Sequence, residues 1–410
     1  MSEPGKSPLD GIRVLDLTRM AAGPFCAMIL GDMGANVTKI EPYPKGDLLR
    51  GFGPFDHGEG TYFLSINRNK RSMALDFRSA EARAVLRRLA LQADVVVENF
   101  KPNVVREIGI DYDSLKEENP RLVYASISGF GAKGPYGGWP GVDQIAQGMS
   151  GFMSLTGERG GGPTRVGIPI GDLTAGMWAS IGILSALLRR ELTGKGSRVE
   201  TTLVSALIGL LCVQGQRYLS LGEVAGPPGN DHPVIAPYGV YEASDGAFNL
   251  CAATTEMWRN LCQIAGREEL IEDPDFKDNE LRVANLSRLK QELNKGFAKD
   301  TCQAWTAKLI AAGIPAGPIY KMDQVFRDQH FQSQGYFEEV AHETIRNLRL
   351  VATPIKREGG WREGADRAPP VLGQHSTEIL REAGFSDAEV ADLLAKKIVH
   401  PFTGEEHVRS

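Results

Sequence analysis

Along the N-terminal half of the chain, short apolar runs alternate with amphipathic stretches in a repeating rhythm. "IRVLDLT" reads as a buried strand, "GPFCAMILGDMG" as a helix ended by glycine, and "NVTKIE" as the next strand. The cycle repeats with "RSMALDF" as strand, then "SAEARAVLRRLALQA" as a helix capped by Ser79. "DVVVENF" follows as strand, then a helix through Val104 to Ile108 and the strand "RLVYASISGF". After the glycine-rich "SLTGERGGGP" the pattern predicts a long apolar helix beginning near Asp172, the strand "SRVETTL", and a helix from about Val204 to Leu221. Strands alternating with helices predict an α/β fold with a parallel sheet.

The texture changes at "GEVAGPPGNDHP", whose proline, glycine and polar residues mark a domain boundary. Beyond it "YGVYEASDGAFNLCAA" predicts a hairpin, followed by helices around Trp258, Leu289 and Trp305, a smaller α+β unit. The last segment, with strands "FEEVAH" and "LRLVATPI" and two helices, is too short for a robust core of its own and is expected to return to the first domain. The division is therefore 1–222 and 329–410 for a large domain and 223–328 for a small one.

A formal net charge of −5 argues against nucleic-acid binding, which needs a basic excess. Five cysteines without a C-x-x-C pair predict buried thiols in a reducing compartment. The longest apolar run, Ala175 to Leu188, falls short of the roughly 20 residues of a membrane span, and the first residues carry no targeting pattern. A soluble cytoplasmic protein without membrane partners is the expectation, with a processed mitochondrial matrix form left open.

Several stretches could carry chemistry. "GFGAKG", Gly129 to Gly134, fits G-x-G-x-x-G, but Pro135 and Pro140 forbid the helix that a dinucleotide fingerprint must open. The histidines are scattered without ligand spacing, so no metal site is expected. "NRNKRS" places Arg68, Lys70 and Arg71 before a strand and Arg78 after it; a solvated loop and a phosphate clamp are both open readings. "ENFKPNVVRE" offers Asn99 at a strand end, with Lys101 and Arg106 beside a helix start, where open α/β sheets bind ligands. Asp172, in "VGIPIGDLTAG", is open to two roles: a helix N-cap, or an exposed, ionised nucleophile. Arg19 is equally open to a structural role or to pairing with a substrate carboxylate.

The ordered segments "LDGIRVLDLTRMAAGPFCAMILGDMGANVTKIEP", "NRNKRSMALD", "ADVVVENFKP", "SISGFGAKGPY", "PIGDLTAG", "AGIPAGPIYKM" and "PPVLGQHSTEIL" resemble the family III coenzyme A transferases, the group that includes formyl-CoA transferase and the carnitine-linked enzymes. The resemblance implies a Rossmann-like large domain built from both chain ends, a small domain between, and a homodimer of interlocked rings. It makes Asp172 the nucleophile that attacks a donor acyl-CoA, with mixed-anhydride and aspartyl-CoA thioester intermediates. No tightly bound cofactor is implied; coenzyme A is the carried group. Matching positions imply CoA contacts at Met20, Ala21, Leu75, Arg78, Asn99, Phe100, Lys101, Gly141 and Val142. Gly171 and Gly176 are expected to leave room for the acyl group.

Departures from the family pattern matter. Ala21 stands where formyl-CoA transferase has glutamine, Val142 where it has tyrosine, and Pro42 where an arginine commonly stacks on adenine. Glu107 aligns with a phosphate-contacting arginine, leaving Arg106 one position early as a substitute. The glycine segment that closes over oxalate is missing, which points away from formyl-CoA:oxalate exchange. The expected substrates are succinyl-CoA as donor and a dicarboxylate as acceptor. One rival is an α-methylacyl-CoA racemase, but Val142 stands where its proton-transferring histidine would be, and valine cannot move a proton. The other is an acyl-CoA-binding protein without catalysis, against which the retained Asp172 speaks.

Overall fold

The computed structural model describes residues 7–77, 79–356 and 365–404. Arg78, a residue implied in CoA binding, lies outside them. Six strands, β1 (Arg13–Asp16), β2 (Asn36–Pro42), β3 (Lys70–Leu75), β4 (Val95–Glu98), β5 (Val123–Ser128) and β6 (Ser197–Thr202), pair in parallel. Their spatial order is 3-2-1-4-5-6, that of a doubly wound sheet. A seventh strand from the C-terminal end, β7 (Val399–His400), joins the β3 edge antiparallel.

The helices that matter for the site are α1 (Ala22–Asp32), α2 (Ala80–Gln92), α3 (Pro102–Glu107), α4 (Asp143–Met149), α5 (Ile170–Thr193), α6 (Leu203–Leu210) and α7 (Cys212–Leu221). β4 shows why the strands read as unbroken apolar runs: Val95 and Val97 face a core shared with α1, α5 and α6, while Val96 faces the core under α2 and the C-terminal helices. Ser79 caps α2 through its side chain, which accepts from the backbone N–H of Ala82. The apolar stretch expected as one helix from Val204 to Leu221 is two, broken at Leu211 between α6 and α7.

Among the described residues, 7–152, 166–222 and 330–404 form one compact unit. Residues 153–165 and 223–329 form the other, so the segment 153–165, placed by sequence in the large domain, belongs with the small unit. The small unit holds a three-stranded antiparallel sheet whose Ser244–Asp245 turn joins Tyr238–Ala243 to Gly246–Cys251. Trp258, Phe276, Phe297 and Trp305 dominate its core.

α5 differs from its sequence expectation. It runs for 24 residues and is long and apolar enough, by length and composition, to cross a membrane. Its buried stripe of Ala175, Ala179, Ile183 and Ala186 packs into the core of the large unit beside α1 and the sheet, the setting of a core helix. The cysteines are all free, but only Cys26 and Cys262 are buried; Cys251 and Cys302 are half-buried and Cys212 is exposed.

Candidate active site

The cation-rich "NRNKRS" segment is neither a solvated loop nor a phosphate clamp. Lys70 is fully buried, and its ammonium donates to Asp16 at 2.9 Å, to the Pro24 carbonyl and to Asn67. Lys39 joins from β2, 2.9 Å from Asp47 and 3.8 Å from Asp16. Arg68 pairs with Asp32, and Arg71 with Glu378 and Glu382 of the returning C-terminal segment. Burial opposes ionisation of Asp16, but Lys39, Lys70 and the Thr18 hydroxyl outweigh it and hold the carboxyl at about 2. Lys70 spends its three donors on buried partners, and the charges of Arg68 and Arg71 are already paired with carboxylates.

Doubly wound sheets bind ligands where the strand order reverses, here between the carboxyl ends of β1 and β4. The turn after β1 carries Arg19, Met20 and Ala21; the turn after β4 carries Asn99, Phe100 and Lys101. Asn99 bridges the two turns: its Oδ1 accepts from the Arg19 N–H at 3.0 Å and its Nδ2 donates to the Arg19 carbonyl at 2.7 Å. Asp47 accepts from the N–H of Met20, which sits at φ 66, a backbone conformation that costs energy outside glycine. The Arg19 guanidinium lies 5.2 Å from the centre of the Phe100 ring. Burial lowers its pKa, Asp47 opposes that, and no ion-pair partner meets it among the described residues.

The remaining positions scatter. Leu75 is fully buried in the core beneath β3, so its side chain is withdrawn from any ligand. Lys101 is exposed at the start of α3. Arg106 and Phe100 line a cleft of about 390 Å³ beside β4, β5 and β6, whose walls also carry Glu98, Lys133 and Arg198. Gly141 crosses Gly129 so closely that a Cβ on either would come within 2.7 Å of the other's Cα, which is why both are glycine. No helix follows Gly134 before α4, as Pro135 and Pro140 dictate.

Asp172 lies in the first turn of α5, but it is not the cap. Pro169 occupies the N-cap position, and the cap comes from α4: Asp143 Oδ1 accepts from the Gly171 N–H at 2.8 Å. Asp143 is the residue sequence reasoning missed; an acid directly after Val142 at a helix start was the available signal. The Asp172 carboxylate is half-buried, not exposed, and has no hydrogen-bond donor among the described residues. Burial and then the Asp143 charge push its pKa up to about 7, against the pull of the helix N-terminus towards the ionised form.

The packing of α5 on α1 places this carboxylate. A Cβ at Gly176 would meet the Ala22 carbonyl at 2.6 Å, and the Ser180 hydroxyl donates to the Cys26 carbonyl at 3.4 Å. The helices thus run side by side in the same direction, 176 beside 22 and 180 beside 26. One turn back, Asp172 is level with the turn that precedes α1, the turn of Arg19, Met20 and Ala21. The glycines have a packing reason: Gly176 admits α1, and Gly171 fits between Asp143 and Leu207.

Comparison with known proteins identifies the family. The family model "CoA-transferase family III" matches residues 9–376. An acyl-CoA transferase of Fusarium pseudograminearum is 39% identical over 93% of this chain and 86% of its own. A succinyl-CoA:glutarate CoA-transferase of Mus musculus is 36% identical over 96% of this chain and 90% of its own. Among solved structures, a CAIB/BAIF family protein from Brucella suis superposes with a TM-score of 0.84 at 38% identity, covering 92% of this chain and all of that one. The chain belongs to CoA-transferase family III. It is an enzyme of that class, and coenzyme A is the group it carries between carboxylic acids.

Proposed function

We propose that the protein moves coenzyme A from succinyl-CoA to a second dicarboxylate, with Asp172 as the nucleophile. The observation that carries the reading is a half-buried carboxylate without a hydrogen-bond donor among the described residues, level with the β1–α1 turn at the switch point of the sheet. The Asp172 carboxylate attacks the thioester carbonyl, and the carbon–sulfur bond breaks to give a mixed anhydride and CoA thiolate. Thiolate attacks the aspartyl carbonyl of the anhydride; the aspartyl-CoA thioester forms and the donor acid leaves as carboxylate. The acceptor carboxylate then runs the same two steps in reverse. A pKa near 7 leaves a large ionised fraction at neutral pH and gives the carboxylate more basicity than a solvated one.

Arg19, half-buried beside Phe100 without an ion-pair partner among the described residues, suits the distal carboxylate of a dicarboxylic acid. The name of the mouse relative supports the same substrate class. Met20, Ala21, Asn99, Phe100 and Lys101 border the crevice in which CoA would lie; Asn99 acts there by holding the Arg19 backbone. Gly141 and Val142 lead into α4, and Val142, 59% exposed, has no proton to give or take, which favours transfer over epimerisation. α5 exposes Met177, Trp178, Ile181, Leu188 and Leu192, and α7 exposes Val213, Leu219 and Leu221. So much apolar surface suits burial against a second copy in an interlocked homodimer. A panel of free acids offered with several acyl-CoA donors tests the reading: transfer from succinyl-CoA to dicarboxylates is expected, and a preference for monocarboxylates would overturn the substrate class.

A further inference from the structure

The backbone that delivers Asp172 is held at both ends by one pair of side chains. Asp143 and Gln147 stand four residues apart on α4 and so share a face. Asp143 Oδ1 takes the Gly171 N–H, and its Oδ2 accepts from Gln147 Nε2 at 2.6 Å. Gln147, itself fully buried, accepts from the Val166 N–H at 2.9 Å through Oε1. Val166 is the residue at which the chain re-enters the large unit from the segment 153–165 of the small one.

We propose that Gln147 is a positioning residue for CoA transfer: it ties Asp143 to Val166, so that the run from Val166 to Gly171 is fixed and the Asp172 carboxylate is held in place. This rests on Asp172 being the nucleophile. Burying a primary amide without partners is costly, and here its two ends are bonded to Asp143 and to the Val166 N–H. A Cβ built at Gly167 would meet open space, so packing does little to hold that part of the run without the ties. Misplacing a reacting group by about 1 Å costs on the order of 10²-fold in rate. α1, α4, α6, β5 and β6 pack against α5, and of their charged groups Asp143 is the one that acts on Asp172.

Two variants of the full-length protein test the assignment. Gln147→Leu conserves volume and deletes both hydrogen bonds; kcat is expected to fall about 10²-fold while KM for the acyl-CoA stays within about threefold. Gln147→Glu keeps an acceptor for Val166 and sets a second carboxylate beside Asp143, so the acid limb of the kcat profile moves to higher pH. Hydroxylamine trapping followed by peptide mass spectrometry is run in parallel on the wild type and both variants. A wild-type adduct at Asp172 that forms more slowly in Gln147→Leu supports the proposal. Wild-type kcat and trapping rate in Gln147→Leu, with only the melting temperature lowered, reduces Gln147 to a structural residue and overturns it. If Gln147→Leu does not fold, Gln147→Glu decides, and an unshifted acid limb at wild-type kcat overturns the proposal. Turnover without any wild-type adduct at Asp172 removes the nucleophile reading, and the positioning claim falls with it.

Discussion

Asp16 and Asp172 belong to the same unit, and their surroundings are opposite. Asp16 is fully buried between Lys39 and Lys70, with Thr18 donating to it, and its carboxyl is held down at about 2. Asp172 is half-buried with no paired cation among the described residues, faces the charge of Asp143, and is pushed up to about 7. Burial desolvates both carboxylates; the countercharge decides the direction in each case. The segment with most charge is spent on holding β1, β2, β3 and α1 together, whereas the lone carboxylate is kept in a costly state that folding does not use. Such uncompensated cost is where chemistry is expected.

The largest effect that sharpens this contrast is on activity. Asp172→Asn should lower CoA transfer by about 10³-fold or more, since it removes the attacking group, while circular dichroism stays that of the wild type. Lys70→Met should do the reverse. It leaves a buried aspartate short of a countercharge and should cost about 3–5 kcal/mol of unfolding free energy in urea titration, with the specific activity of folded protein retained. Equal losses of activity from both substitutions would break the contrast between structural and chemical charge.

Stability should follow pH with opposite signs at the two aspartates. Asp16 and Glu41, both lowered to about 2, contribute stability that is present above the ordinary carboxylate range and lost as pH falls from about 4 towards 2. Asp172 is raised, so its contribution is present below about pH 4 and lost as pH rises through about 7. Asp172→Asn should therefore gain about 1–2 kcal/mol over the wild type at pH 8 and nothing at pH 4, read from thermal melts at both. A smaller effect is expected at Arg19: Arg19→Met should raise KM for a dicarboxylate acceptor by about tenfold and leave a monocarboxylate unchanged.

Elements set by neighbouring residues were legible in the sequence: the Ser79 cap, the apolar strand Val95–Glu98 and the helix that Pro135 and Pro140 prevent after Gly134. What failed were assignments that depend on partners far along the chain. The cations of "NRNKRS" meet Asp16, Asp32, Glu378 and Glu382, and no local pattern reveals those pairings. Asp172 looks like a cap locally because acids favour helix starts, yet the acid that caps its helix is Asp143, on another helix. Gly176 suggested space for a ligand and instead admits α1. The family motifs name the two turns that the 3-2-1-4-5-6 order brings together, whereas the side chain of Leu75, another motif residue, is buried in the core.

The most direct measurement of the central claim is mass spectrometry of the peptide containing residue 172 after a single turnover with succinyl-CoA quenched in hydroxylamine. A hydroxamate at Asp172, absent from Asp172→Asn and dependent on acyl-CoA, is the predicted result. Full turnover with that peptide unmodified, or with the label on another residue, would contradict it.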